Sequence, residues 1–304
     1  MSLDLHAAAA DYLAARRARG YRLADHDWLI RSFLDDLKRR GVATITVADA
    51  VAFARCRPQT SPRWHAQRLH VIAGLAGYVH ALDPEAAELV PAGLIRARVT
   101  RRHPYLYSDE QIQALHAAAS ALSPPPLAAT MSTLIGLLAV SGLRVGEAIA
   151  LDVGDLDTDR RVLRVTGKYG KRRLVPLHPS TVEALTSYLA GRPADRPLLV
   201  GVRGNRLIAN TARAVFGALV QECRLPARPG CGAPRLHDFR HSFAMHTLTE
   251  AQRSGADVDA RVAVLADYLG HVDPTCTYWY LQASPQLMTA VGERVATAFH
   301  REHR

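Results

Sequence analysis

Leu269-Gly270-His271-Val272-Asp273-Pro274-Thr275-Cys276-Thr277-Tyr278-Trp279-Tyr280 puts a histidine nine residues before a tyrosine, with a helix-stopping glycine and a proline near its start. Two phenols, Tyr278 and Tyr280, end the stretch. Two positions apart on a helix, they point about 200° away from each other, so only one can face a given centre. Three earlier stretches supply the charge such a phenol needs. Ser141-Gly142-Leu143-Arg144-Val145-Gly146-Glu147 offers an arginine, Gly167-Lys168-Tyr169-Gly170-Lys171 a lysine in a tight turn, and His237-Asp238-Phe239-Arg240 a histidine and a second arginine.

These groups suit attack on a phosphate. A phosphodiester in its transition state spreads negative charge over two non-bridging oxygens, and guanidiniums clamp such oxygens with forked hydrogen bonds while keeping their protons. Arg144 and Arg240 fit that role. A phenol ionises only near pH ~10, so it attacks well when a neighbour takes its proton or cations favour the phenolate. His237 is the candidate acceptor. The departing oxygen needs a proton, which an amine can give and a guanidinium essentially cannot. Lys168 is the candidate donor.

The order Arg144, Lys168, His237, Arg240, His271, Tyr280, set in SGLRVGEAIAL, TGKYGKRRLVPL, LHDFRHSFA and LGHVDPTCTYWY, closely resembles the tyrosine recombinase (phage integrase) family over residues 105 to 285. The resemblance implies a DNA strand-exchange enzyme with Tyr280 as nucleophile, a 3′-phosphotyrosyl intermediate and a free 5′ hydroxyl. It implies no cofactor and no metal. His271 would add a hydrogen bond to the phosphate, and Glu147 would buttress Arg144. Tyr169 stands where the family usually has glycine and Cys276 where it often has threonine. Neither position is expected to do chemistry.

Composition points the same way. The chain has 304 residues, enough for two domains, with 38 Lys and Arg against 28 Asp and Glu, a net charge of +10. A polyanionic partner is expected, and the resemblance makes it double-stranded DNA. Only three of the basic residues are lysines, Lys38, Lys168 and Lys171, and two of them share one turn. The four cysteines contain no CxxC pair, so neither a zinc site nor a disulfide framework is expected. No apolar run is long enough to span a bilayer. A cytoplasmic, DNA-associated bacterial protein with no membrane partner is expected.

Along the chain, helical spacing and capping residues predict helices over 4–19, 25–40, 46–53 and 61–82. The resemblance makes residues 1–90 a SAM-like core-binding bundle that clasps one side of the duplex, with Lys38, Arg55, Arg57, Arg63 and Arg68 as candidate phosphate contacts. Residues 91–104 form a basic interdomain linker carrying Arg96, Arg98, Arg101 and Arg102, which could cross the sugar-phosphate backbone. Residues 105–304 form the catalytic domain. It should open with a capping box at Ser108, continue through a buried helix over 128–141, and turn to period two between Leu151 and Leu177. That hairpin has Lys171, Arg172 and Arg173 near its tip as candidate DNA contacts. A second capping box at Ser180, a helix over 211–223 with Arg213 on its polar side, a helix from His237, another over 257–269 and a last one from Pro285 complete the expectation.

The expected fold is therefore mainly α with a small antiparallel sheet. The expected assembly is a homotetramer, or dimer of dimers, on synapsed DNA, with related recombinases or accessory proteins as further partners. Integration, excision, transposition and resolution all remain open as roles. Two rivals stand beside this reading: a type IB-like topoisomerase, which rejoins the same strand, and a non-catalytic DNA-binding protein on the same fold.

Overall fold

The computed structural model describes residues 3–21, 23–97, 103–167 and 170–270. The backbone separates into two compact units, Met1–Arg101 and Arg102–Arg304.

The described residues of the first unit form four helices, α1 (Leu5–Ala18), α2 (Ala24–Arg39), α3 (Val47–Arg55) and α4 (Pro62–Leu82). Three of them start where short polar side chains can satisfy their orphan donors. Asp4 accepts from the N–H groups of His6 and Ala7, Thr46 from Asp49 and Ser61 from Trp64. Pro62 sits in the first turn of α4, where its missing N–H costs nothing. The inward faces meet in a core that includes Leu13, Ile30, Phe33, Ile72 and Leu75. Burying each large side chain there contributes about 1.5–3 kcal/mol. After α4 the chain folds back, the Ile45 N–H donating to the Ala86 carbonyl and the Glu88 N–H to the Ile45 carbonyl.

One expectation for this unit is corrected. Arg68 is 2% exposed. Its guanidinium donates to the Phe53 carbonyl (2.7 Å) and lies over the Phe53 ring, so it is turned into the bundle and not held out toward a phosphate. Lys38, Arg55, Arg57, Arg63 and Arg96 are exposed. Arg98, Arg101 and Arg102 lie outside the described residues.

The second unit runs α5 (Asp109–Ser120), α6 (Pro125–Ser141), α7 (Val145–Ala150), then strands β1 (Leu156–Asp157), β2 (Val162–Thr166) and β3 (Arg172–Pro176). Helices α8 (Pro179–Leu189), α9 (Ala209–Glu222), α10 (Asp238–Arg253) and α11 (Val258–Leu269) follow. The capping box at Ser108 is formed, Ser108 Oγ accepting from the Gln111 N–H and the Gln111 side chain from the Ser108 N–H. The helix expected to start at residue 128 begins earlier, because Pro125 and Pro126 fit a first turn that needs no donors. The expected capping box at Ser180 is replaced by His178, whose Nδ1 accepts from the Ser180 N–H.

α6 is the central rod, with Met131, Leu134, Ile135 and Leu138 fully buried among its neighbours. The sheet is antiparallel in the order β1-β2-β3, pairing Leu163 with Val175 and Val165 with Arg173. α10 and α11 build a smaller core of their own from Met245, Leu248, Val262, Leu265 and Leu269. Among the described residues no helix is long and apolar enough to cross a membrane. The helix expected from Pro285 lies outside the described residues.

Candidate active site

Arg144 is placed by a sharp exit from α6. Gly142, at φ 59°, takes a left-handed conformation that an L side chain adopts only under strain, and a Cβ there would come within 2.6 Å of the Phe243 ring. Arg144 is then the residue that caps α7, and Glu147 fixes it twice. One carboxylate oxygen accepts from the Arg144 backbone N–H (3.0 Å), the other from its Nη1 (2.7 Å).

Glu147 is buried and also carries a second cation. Arg173 Nη2 donates to Oε2 at 2.8 Å and Nη1 to Oε1 at 3.2 Å, a forked pair. Burial alone would push this carboxyl up. The hydrogen bonds from Arg173 and from Arg144 outweigh it and hold the pKa at about 2. Glu147 is therefore a carboxylate at any physiological pH, and the two guanidiniums share it.

Arg240 enters from the first turn of α10 and is 2% exposed. Its Nη1 donates to the Gly142 carbonyl (2.9 Å) and its Nη2 to the Leu269 carbonyl (2.6 Å), the ends of α6 and α11 respectively. A helix C-terminus leaves carbonyls without intrahelical partners and carries partial negative charge, so a cation is favoured there. The last turn of α11 takes two further arginines. Tyr268 accepts from Arg173 Nε (2.9 Å), and Gly270 accepts from Arg144 Nη2 at a longer 3.5 Å. Three consecutive carbonyls thus hold three arginines drawn from α7, β3 and α10.

His237 caps α10 beside a cavity of about 390 Å³ that it lines with Arg144, Gly146, Arg213 and Arg235. The residue keeps an exposed face toward this opening. The protein packed around its ring, and then the Arg240 charge, push its pKa below the ordinary imidazole value, against the pull of Asp238. Near neutral pH it is an uncharged base. The His241 ring stands perpendicular to it at 5.0 Å.

The structure brings Arg144, Glu147, His237 and Arg240 together. Lys168, His271 and Tyr280, with Tyr169 and Cys276, lie outside the described residues. Lys171 and Arg172 are exposed on the hairpin, and Arg213 is exposed at the cavity rim, bonded to Asn210. Arg173 is corrected: its side chain is 15% exposed and spent on Glu147 and Tyr268, not held out toward solvent.

Arg235 was not foreseen. Its backbone N–H and guanidinium grip the fully buried Asp238 carboxylate, which fixes the turn entering α10 and so the placement of His237. An arginine three residues before an aspartate at a helix start is the pattern that could have found it. The Tyr107 hydroxyl donates to the Arg235 carbonyl, and its ring stacks on Phe239 at 4.5 Å.

Residues 105–286 match the sequence model of the phage integrase family. The chain belongs to that family. This recombinase is 36% identical over 301 residues to an integrase/recombinase of Sinorhizobium fredii, the alignment covering 95% of this chain and 96% of the relative. It is 35% identical over 220 residues to the tyrosine recombinase XerC of Mycobacterium tuberculosis, covering 70% and 68%. Among solved structures, a lambda integrase dimer bound to a COC′ core site superposes with a TM-score of 0.62 at 18% identity, covering 92% of this chain and 77% of that one. The fold is that of tyrosine recombinases, and the protein is a DNA breaking-rejoining enzyme of the tyrosine type.

Proposed function

We propose that this recombinase cuts double-stranded DNA by attack of Tyr280 on the scissile phosphate, leaving a 3′-phosphotyrosyl bond and a free 5′ hydroxyl. The observation that carries the reading is the meeting of Arg144 and Arg240, from helices far apart in sequence, at one helix end beside His237. Two fixed guanidiniums so arranged suit a single anion. His237, uncharged near neutrality, takes the phenol proton, Lys168 protonates the leaving oxygen, and His271 adds a hydrogen bond to the phosphate. The phosphotyrosine keeps the energy of the broken bond, so religation needs no nucleotide. Joining to a second duplex gives recombination.

Arg240 is buried, so phosphate reaches it once the groups covering it move aside on binding. The exposed cations Lys38, Arg55, Arg57, Arg63, Arg96, Lys171, Arg172 and Arg213 are proposed duplex contacts, as are Arg98, Arg101 and Arg102 on the linker. A solved lambda integrase tetramer is bound to a Holliday junction. A tetramer on synapsed DNA is proposed here by that likeness, for integration, excision, transposition or resolution.

The test is covalent capture from a library of nicked duplexes with a randomised core, read on denaturing gels and by sequencing. Wild-type protein should enrich a sequence as a protein-linked 3′ end, and Tyr280→Phe should give none. Transfer of the captured strand to a second labelled duplex identifies a recombinase, and its absence a topoisomerase-like enzyme. Capture should fall off as pH drops below the lowered His237 pKa, an acid limb lying under about pH 6.5. An adduct that survives in Tyr280→Phe would sink the reading.

A further inference from the structure

We propose that Arg173 is a positioning residue for the cleavage reaction: bonded at once to the Glu147 carboxylate and the Tyr268 carbonyl, it sets the Arg144 guanidinium and the last turn of α11 in the arrangement that grips phosphate. The inference rests on the function proposed above and adds a residue to it.

Arg173 lies on β3 opposite Val165, on the face that also buries Val175, while its neighbours Arg172 and Leu174 face outward. A strand alternates its side chains, so Arg173 occupies a core-facing position. All three guanidinium nitrogens are engaged: Nε with Tyr268, Nη1 and Nη2 with the two oxygens of Glu147. Only a planar fork reaches a carboxylate edge and a carbonyl together, and a lysine ammonium would have to choose among them.

Two glycines close around this group. At Gly270 a Cβ would stand 3.2 Å from Arg173 Nη1 and 3.4 Å from its Cδ and Cζ. At Gly167, which opens the turn before Lys168, a Cβ would lie 3.6 Å from Nη1 and 3.7 Å from Glu147 Oε1. The hairpin turn, the start of α7 and the end of α11 therefore rest on one ion pair. Among the described residues, the charged groups facing the Glu147 carboxylate are Arg144, from the start of its own helix, and Arg173 from β3.

The experiment uses full-length protein and a nicked duplex of the captured sequence, with single-turnover adduct rates at saturating DNA from about pH 5 to 9. Arg173→Gln should bind DNA within about twofold of wild type yet cut about tenfold or more slowly. It should also gain a deeper acid limb, because a buried Glu147 left with one guanidinium protonates at higher pH. The double variant Arg173→Gln/Glu147→Gln should lose that extra limb and be little slower than the slower single. Arg173→Lys should fall between.

A wild-type rate in Arg173→Gln overturns the inference, as does weaker DNA binding with unchanged cleavage, which would make Arg173 a phosphate contact. Equal fractional loss at every pH with additive singles also overturns it, leaving Arg173 merely structural. Hydrogen exchange gives a readout independent of cleavage. In Arg173→Gln the Gly270 amide, bonded to the Asp267 carbonyl in wild type, should exchange faster while α6 stays protected. If wild-type protein forms no adduct the proposed function fails, and unchanged exchange at Gly270 then rejects the role of Arg173 separately.

Discussion

Arg68 in the first unit and Arg240 in the second are equally buried, each 2% exposed, and they are held in different ways. Arg68 lies 4.4 Å over the Phe53 ring, gives N–H groups to the Phe53 carbonyl and the Cys56 sulfur near the end of α3, and leaves Nε without a partner. Arg240 joins the ends of two helices and stands beside two more arginines on the same turn. One buried cation fills and props a small bundle. The other is a junction between elements. Burial of an arginine alone does not mark a reactive centre; what sets Arg240 apart is that its acceptors are the ends of two helices distant in sequence.

That contrast can be broken by substitution. Arg240→Met should lower covalent adduct formation by about 10²–10³-fold, the scale of losing one preorganised group that stabilises transition-state charge, measured on the captured duplex. Arg68→Met should cut at nearly the wild-type rate.

Acid should separate the regions next. Glu147, held at about 2 in the folded state against an ordinary 4.5, contributes stability that is fully present above about pH 4.5 and lost as pH falls toward 2. The contribution is on the order of 3 kcal/mol, and Glu147→Gln should flatten the stability curve of the catalytic unit across that window in urea melts. Asp27 is also lowered, by Arg31 and Arg17, but these pairs lie at the surface, where solvent screens them.

Gly142→Ala should cost about 2 kcal/mol, because it adds both a strained left-handed conformation and a clash with Phe243, and thermal unfolding would show it. The smallest effect is expected at the first unit's buried cation. Arg68→Met should change stability by less than about 1 kcal/mol, since a hydrophobic residue of similar volume removes an incompletely paired charge. It should leave the salt dependence of duplex binding unchanged, whereas a true phosphate contact would reduce the slope by about 1.

Much of this was readable from residues. The helices of the first unit announce themselves by Asp4, Thr46 and Ser61, and the hairpin by its change of period. Arg144, His237 and Arg240, which the structure brings together, stand out in the sequence because their motifs are local. Arg68 and Arg173 depart from the expectation for one shared reason: position in the element outranks positive charge. Arg68 follows Trp64 by four residues and precedes Ile72 by four, which puts it on the buried stripe of α4. Arg173 precedes Val175 and Leu177 in steps of two, which puts it on the inner face of β3 and turns Leu174, 59% exposed, outward. Arg235 escaped because its role depends on Asp238 being buried, a property of the packed unit rather than of the motif.

The arginine-laden last turn of α11 has a practical consequence for anyone scanning this enzyme. Arg144 and Arg240, proposed to clamp the phosphate, are also tethers for the peptide that leads onward to position 280. Deleting one removes a charge and slackens a mooring in the same stroke, so a kinetic deficit from any single replacement will overstate how much of catalysis is electrostatic.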